Sequence, residues 1–170
     1  MIKIIDDFLH PKEFEEIKTF MESKNFPWFF NTAKVHDDDG KFQYTHLFYK
    51  CANANQKIVQ SSDFLDMWNN YMRRLESTKS YRIKANMTLK TPSHDISDWH
   101  IDNQGDGVND ALMTSLFYVN TNDGYTEFEN GVIVGSVANR ACIFDSTLKH
   151  RGVGHTSPDH HRIVVNFNYA

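Results

Sequence analysis

Arg162-Ile163-Val164-Val165-Asn166-Phe167-Asn168-Tyr169 reads as a β-strand whose two faces have different tasks. Side chains two positions apart leave a strand on the same side. Ile163, Val165, Phe167 and Tyr169 therefore make one apolar face, and Arg162, Val164, Asn166 and Asn168 make the other. The first face belongs in a core. The second puts a cation and two amides into a sheet, which costs free energy unless an anion or a hydrogen-bonding ligand meets them. A guanidinium fork matches a carboxylate at two points. Taken alone, Arg162 would more simply point to water from a sheet edge or pair with a protein carboxylate.

Working back from that strand, the second half of the chain is mostly β in pattern. Candidate strands are Tyr81 to Leu89, Trp99 to Asp102, Leu112 to Val119, Val132 to Val134 and Arg140 to Phe144. Gly105-Asp106-Gly107, Asn122-Asp123-Gly124, Asn130-Gly131 and Ser157-Pro158-Asp159 separate them with residues that bend the backbone readily. Six short strands of this kind predict a sandwich or jelly roll. In the first half, Phe14, Ile17, Phe20 and Met21 recur at helical spacing after Pro11. Phe64, Leu65, Trp68, Tyr71, Met72 and Leu75 form a second helical stripe, read as core-facing with no catalytic role. Between them, Trp28-Phe29-Phe30 and Lys41 to Tyr49 flank the acidic turn Asp37-Asp38-Asp39-Gly40 and predict a hairpin or flap. The fold class is mainly β with flanking helices (α+β). The expected organisation is a single domain over 1–170, with helices and the hairpin in 1–80 and the jelly-roll core in 81–170.

Chemistry enters at Trp99-His100-Ile101-Asp102. On a strand, His100 and Asp102 leave the same face and can reach one ion while Ile101 packs behind them. A third ligand must come from another strand, and His150 follows the apolar run Cys142-Ile143-Phe144 at a distance that two hairpins can span. Two histidines and one carboxylate are the facial triad of non-haem Fe(II) sites with open coordination positions. His-x-Asp alone is a weak signal, since His36-Asp37-Asp38 repeats it. That copy lies in an acidic turn without strand-like flanks and reads as solvated. His155, His160 and His161 also follow His150, and His155 is the alternative third ligand.

Bulk properties permit this reading. The 170 residues suffice for one domain with a real core, and net charge −4 gives no strong signal for nucleic-acid binding. Cys51 and Cys142 are too few for a disulfide framework, so a reducing, cytoplasmic setting is expected. The start, Met1-Ile2-Lys3-Ile4-Ile5-Asp6-Asp7, loses its apolar character too early for a signal peptide or membrane span.

Residues 81 to 170 resemble the Fe(II)/2-oxoglutarate-dependent dioxygenases, specifically their prolyl 4-hydroxylase-like branch. The resemblance rests on His100-Ile101-Asp102, Leu112-Met113-Thr114-Ser115-Leu116-Phe117-Tyr118-Val119-Asn120, Asp123-Gly124-Tyr125-Thr126-Glu127-Phe128, Phe144-Asp145-Ser146, His150 and Arg162. More faintly, Ile4-Ile5-Asp6-Asp7-Phe8-Leu9 before a helix looks like the opening of such domains. The resemblance implies a double-stranded β-helix, cupin-like, with N-terminal helices packed on one sheet. It implies Fe(II) on His100, Asp102 and His150, and 2-oxoglutarate and O2 as co-substrates, with ascorbate an optional reductant. The 1-carboxylate and keto oxygen of 2-oxoglutarate would chelate the iron, and its far carboxylate would meet Arg162, Tyr118 and a polar partner at Asn166. The implied activity is hydroxylation of a small-molecule or peptide substrate, such as a peptidyl or free amino acid, releasing succinate and CO2. Two other classes stay open: a non-catalytic cupin-like metal-binding or sensing module, and an interaction domain that docks a basic partner through Asp37 to Asp39. The family's paired glycines are Asp123-Gly124 here, and no tyrosine-glycine pattern precedes His100, so substrate identity does not transfer.

Overall fold

The computed structural model describes residues 1–35, 39–51, 58–102 and 113–170. His36 and Asp37-Asp38, the Gly105-Asp106-Gly107 turn and Leu112 lie outside the described residues. In chain order the elements are β1 (Lys3–Ile5), α1 (Pro11–Met21), β2 (Phe29–Asn31), β3 (Gln43–Cys51), β4 (Ile58–Ser61) and a 3-10 turn (Leu65–Trp68) leading into α2 (Asn69–Arg74). There follow β5 (Ser80–Leu89), β6 (Met113–Tyr118), β7 (Tyr125–Phe128), β8 (Ile133–Gly135), β9 (Arg140–Asp145), β10 (His150–Val153) and β11 (His161–Tyr169).

β11 lies in the interior of an antiparallel eight-stranded sheet of order β1-β9-β6-β11-β5-β3-β2, with β4 paired to β3. A second sheet, β10-β7-β8, packs over it through Phe128, Val134, Leu116, Tyr118, Cys142, Phe144 and Val164. The two layers form the expected double-stranded β-helix. The other face of the large sheet takes the helices. Ile163, Val165 and Phe167 of β11 join Phe117, Phe14, Ile17, Met21, Trp68 and Tyr71 in the main core. The apolar stripe of α1 therefore folds onto the sheet as its spacing requires, with Pro11 at the helix start. Asn139, in a left-handed conformation at φ 62°, fastens the N-terminal segment by accepting from the Leu9 N–H and donating to its carbonyl, both at 2.9 Å.

One expected strand does not form. Trp99 to Asp102 makes only a single bridge, His100 to His150, with a second at Ile96 to Val153. Between the bridges the Ser97 hydroxyl donates to the Gly152 carbonyl at 2.6 Å and accepts from its N–H at 3.0 Å. The Ser97 N–H also donates to the Gly152 carbonyl at 3.0 Å, so it is the Gly152 N–H that the side chain takes, and the pairing register shifts by one residue between the two bridges. β7 and β10 are strands that the apolar pattern does not announce, since Tyr-Thr-Glu-Phe and His-Arg-Gly-Val carry little alternation. The anticipated hairpin is real as a β2–β3 pair, with Phe30 opposite Tyr44, but β3 also runs on as a full neighbour of β5.

Phe117 holds the helical layer to the sheet. It is fully buried, with ring centroids 4.9 Å from Tyr71, 6.0 Å from Trp68 and 6.1 Å from Phe14. Truncating such a ring removes transfer energy and leaves a cavity. Phe117→Ala should cost about 3–5 kcal/mol, measured by urea denaturation.

Candidate metal centre

The single bridge between residues 100 and 150 does what the missing strand was expected to do. The His100 N–H donates to the His150 carbonyl at 3.0 Å and the His150 N–H returns the bond at 2.9 Å. Residues paired this way project side by side, and the two imidazole centroids stand 4.5 Å apart. Asp102, turned inward as its N–H donates to the Ser146 carbonyl at 3.2 Å, completes the group. One ligand atom from each of His100, Asp102 and His150 lies within 4.8 Å of the others. Nε2 of His150 and Oδ2 of Asp102 are 3.8 Å apart, too far for a hydrogen bond and suited to sharing an ion.

The imidazole tautomers follow from the carbonyls around them. Nδ1 of His100 faces the Asp98 carbonyl at 3.1 Å, and Nδ1 of His150 faces that of Leu148 at 3.0 Å. A carbonyl only accepts, so both Nδ1 atoms carry hydrogen and both Nε2 lone pairs are free to bind a metal. Burial, helped by His150, holds His100 below the usual imidazole range, which favours the neutral, ligating form.

Asp102 is buried and held on several sides. Oδ2 accepts from Thr114 Oγ1 and from Asn166 Nδ2, each at 3.0 Å, while Arg82 Nη2 stands 3.5 Å from Oδ1. Thr114 in turn accepts from Asn168 Nδ2 at 3.0 Å, and Asn168 Oδ1 accepts from Arg82 Nε at 2.9 Å. Burial pushes the Asp102 carboxyl up, but His150, Arg82, His100 and the Asn166 amide outweigh it and keep it below the usual carboxylate range. Strands β5, β6 and β11 each supply part of this cradle. Two free imidazole nitrogens and one oriented carboxylate make a donor set that suits Fe(II).

Farther along the inner face of β11, Arg162 is buried with Nε donating to Ser136 Oγ at 2.7 Å. Its Nη2 is buried with no hydrogen-bond partner, and among the described residues no carboxylate pairs with the guanidinium. Thr88, opposite it on β5, likewise has a buried hydroxyl without a partner. The Arg162 stem passes so close to Gly124 that an added Cβ would stand 2.6 Å from Arg162 Cδ, so the single glycine of Asp123-Gly124 is required by space. Tyr118 lies beneath, its ring centroid 5.7 Å from the guanidinium carbon, and its hydroxyl donates to Thr126 at 2.9 Å. These orphaned donors are what an anion between the sheets would meet.

The sequence thus places His100, Asp102 and His150 together. Asn166, expected beside the co-substrate, spends its amide nitrogen on Asp102 and leaves Oδ1 buried without a partner. His155 stays apart from the triad, with Nε2 on the Asp159 carbonyl at 3.0 Å. Thr114, Arg82, Thr88 and Ser136 were missing from the sequence reading. For the first three, strand parity carries the signal: Thr114 shares a face with Tyr118, and Arg82 and Thr88 share the inward face of β5. Ser136 lies just past β8 and has no such pattern.

No family model and no curated relative matches the sequence. Solved structures do. An oxidoreductase of the 2OG-Fe(II) oxygenase family from Burkholderia pseudomallei superposes with TM-score 0.72 at 10% identity, covering 99% of this chain and 84% of that one. A prolyl hydroxylase from Trichoplax adhaerens, solved with a hypoxia inducible factor oxygen degradation domain peptide fragment, gives 0.68 at 14% identity, covering 99% and 82%. A Pseudomonas putida prolyl-4-hydroxylase gives 0.63 at 12% identity, covering 99% and 91%. The chain has the fold of the 2-oxoglutarate/Fe(II) oxygenases.

Removing one support of Asp102 tests the cradle. Thr114→Val keeps shape but deletes a hydrogen bond to Oδ2, and should weaken Fe(II) binding by about 10–100-fold in anaerobic titration calorimetry.

Proposed function

We propose that this protein is an Fe(II)- and 2-oxoglutarate-dependent dioxygenase that hydroxylates a peptide or small-molecule substrate. The observation that carries the reading is the pairing of a three-ligand metal group with a buried, carboxylate-free guanidinium on the inner side of one sheet. A metal-binding module without catalysis would need the first and have no use for the second. The fold supports the same reaction class, and the peptide held by the Trichoplax enzyme makes a peptide an admissible substrate.

In this reading His100, Asp102 and His150 hold the ferrous ion, and Arg162, with Thr88 and Ser136 beside it, holds the far carboxylate of 2-oxoglutarate. Together the ion and co-substrate would supply the oxidising chemistry, one oxygen atom of O2 ending in succinate with loss of CO2 and the other in a substrate C–H bond. The chain's own residues position and insulate. Asp102 offsets one charge of the ion, and its hydrogen bonds keep it from rotating away. The imidazoles, fixed through Nδ1, present Nε2 without reorganisation. Leu116 and Val164 line the cleft with apolar surface and limit water around the reacting centre. Tyr118 stays protonated, its buried hydroxyl pushed well above the ordinary phenol range, so it offers a neutral aromatic wall to the arginine.

Purified protein supplied with Fe(II), 2-oxoglutarate and O2 should release succinate, even slowly and without substrate. Absence of turnover together with absence of metal and co-substrate binding would defeat the reading. Arg162→Ala should weaken 2-oxoglutarate by about 2–5 kcal/mol, and Asp102→Ala should abolish coupled turnover. Gly124→Ala, which crowds the arginine stem, should also weaken 2-oxoglutarate while Fe(II) affinity holds, as read by parallel calorimetric titrations.

A further inference from the structure

The inner face of β5 carries a second cation that the reaction as proposed does not use. Lys84 lies opposite Asn166 of β11, four residues from Arg162, or about 13 Å along the strand. It lines a cleft together with His100, Asp102, Asn166, Arg82 and Lys34. The metal group therefore lies beside Lys84, while Arg162 reaches in from the other end of the face. Among the described residues Lys84 has no hydrogen-bond or ion-pair partner, whereas its cationic neighbours are engaged. Arg82 serves Asn168 and Asp102, and Lys34 is paired with Asp95. Burial, reinforced by Arg82 and Lys50 and only partly offset by Asp102, brings the Lys84 ammonium down to about 8. A half-buried ammonium whose carboxylate neighbour in the cleft, Asp102, is already engaged by Arg82, Thr114 and Asn166 is costly unless a further anion arrives.

We propose, building on the dioxygenase reading, that the substrate carries a carboxylate that pairs with Lys84 at the metal end of the cleft. A carboxylate fits better than a phosphate, because one free ammonium matches a single charge and both neighbouring cations are already paired. The face then divides its labour: Arg162 takes the anion of the co-substrate, and Lys84 takes that of the substrate, setting the C–H bond to be oxidised near the metal. Substrates lacking the carboxylate would leave Lys84 half-buried and unpaired, which is a basis for discrimination.

The full chain, loaded anaerobically with Fe(II) and 2-oxoglutarate, is dialysed against free amino acids and their carboxamides, and against capped aspartyl and asparaginyl tripeptides. Retention is read by mass spectrometry. At least one acid should be retained about tenfold or more above its amide. Preference among the free amino acids or among the tripeptides tells a small-molecule from a peptide carboxylate. Lys84→Met should erase the gap, and Lys84→Arg should preserve it. Acids held no better than amides, or a gap that survives Lys84→Met, would overturn the proposal. So would a loss of 2-oxoglutarate retention in Lys84→Met, which would assign the lysine to the co-substrate. The same panel is run on metal-free protein. Failure of the wild type to load metal and co-substrate sinks the dioxygenase reading, while the Lys84 pairing is still judged on the metal-free arm.

Discussion

An interior strand with a polar inner face governs this molecule. β11 is hydrogen-bonded on both sides, to β5 and β6, so none of its side chains escapes to an edge. Arg162, Asn166 and Asn168 are all buried as a consequence. Buried polar groups have to be paired, and the chain meets that demand unevenly. At one end Asn168, Thr114, Asn166 and Arg82 close around Asp102 and leave Asn166 Oδ1 without a partner. At the other, Arg162 has a hydroxyl for one nitrogen and nothing for another. Uneven satisfaction separates a scaffold from a site: the closed network fixes a ligand, and the open one awaits a partner.

That distinction also explains what could be read from sequence. Period-two alternation is local, so the faces of β11 and the partners Ile163, Val165 and Phe167 were legible without coordinates. The helix stripes of α1 and of Phe64 to Leu75 were legible for the same reason. His100, Asp102 and His150 could be grouped because strand parity and hairpin spacing constrain where chains return. What parity could not supply was the kind of contact. Trp99 to Asp102 has strand-like composition, yet the register shifts by one residue between the Ile96 and His100 bridges and interrupts the ladder. β10 contains a glycine and two charged or titratable residues in four positions, and its extended form depends on β7 rather than on its own sequence. Asn166 was placed on the correct face, but its bond to Asp102 was not legible, because alternation fixes a side chain's direction and leaves its reach open.

Around the cleft mouth, charge pairing reaches across distant parts of the chain. Lys34 and Lys41, from the segment between β2 and β3, both meet Asp95, and Lys41 also donates to the Ile96 carbonyl. Asp95 is held below the usual carboxylate range as these two lysines outweigh its burial. Its N-terminal neighbour His94 bonds the Gly154 carbonyl at 2.7 Å, so the flap, the loop before the metal ligands and the end of β10 form one connected rim. The rim is tied by part-buried ion pairs, and the deeper cradle by buried hydrogen bonds.

Superposition at 10% identity with TM-score 0.72 becomes intelligible on these terms. Two layered sheets need only alternating apolar faces, which many residue choices provide. The metal group needs three side chains brought within 4.8 Å of one another, and here backbone bridging between positions 100 and 150 sets the two histidines while Ser146, Thr114 and Asn166 set Asp102. Few positions are therefore chemically fixed, and most of the chain is free to vary so long as parity is kept. Residues that break parity or leave charge unpaired carry the information about what this protein does. Arg162 is the first of these. Lys84, with its ammonium half-buried beside the metal ligands, is the second.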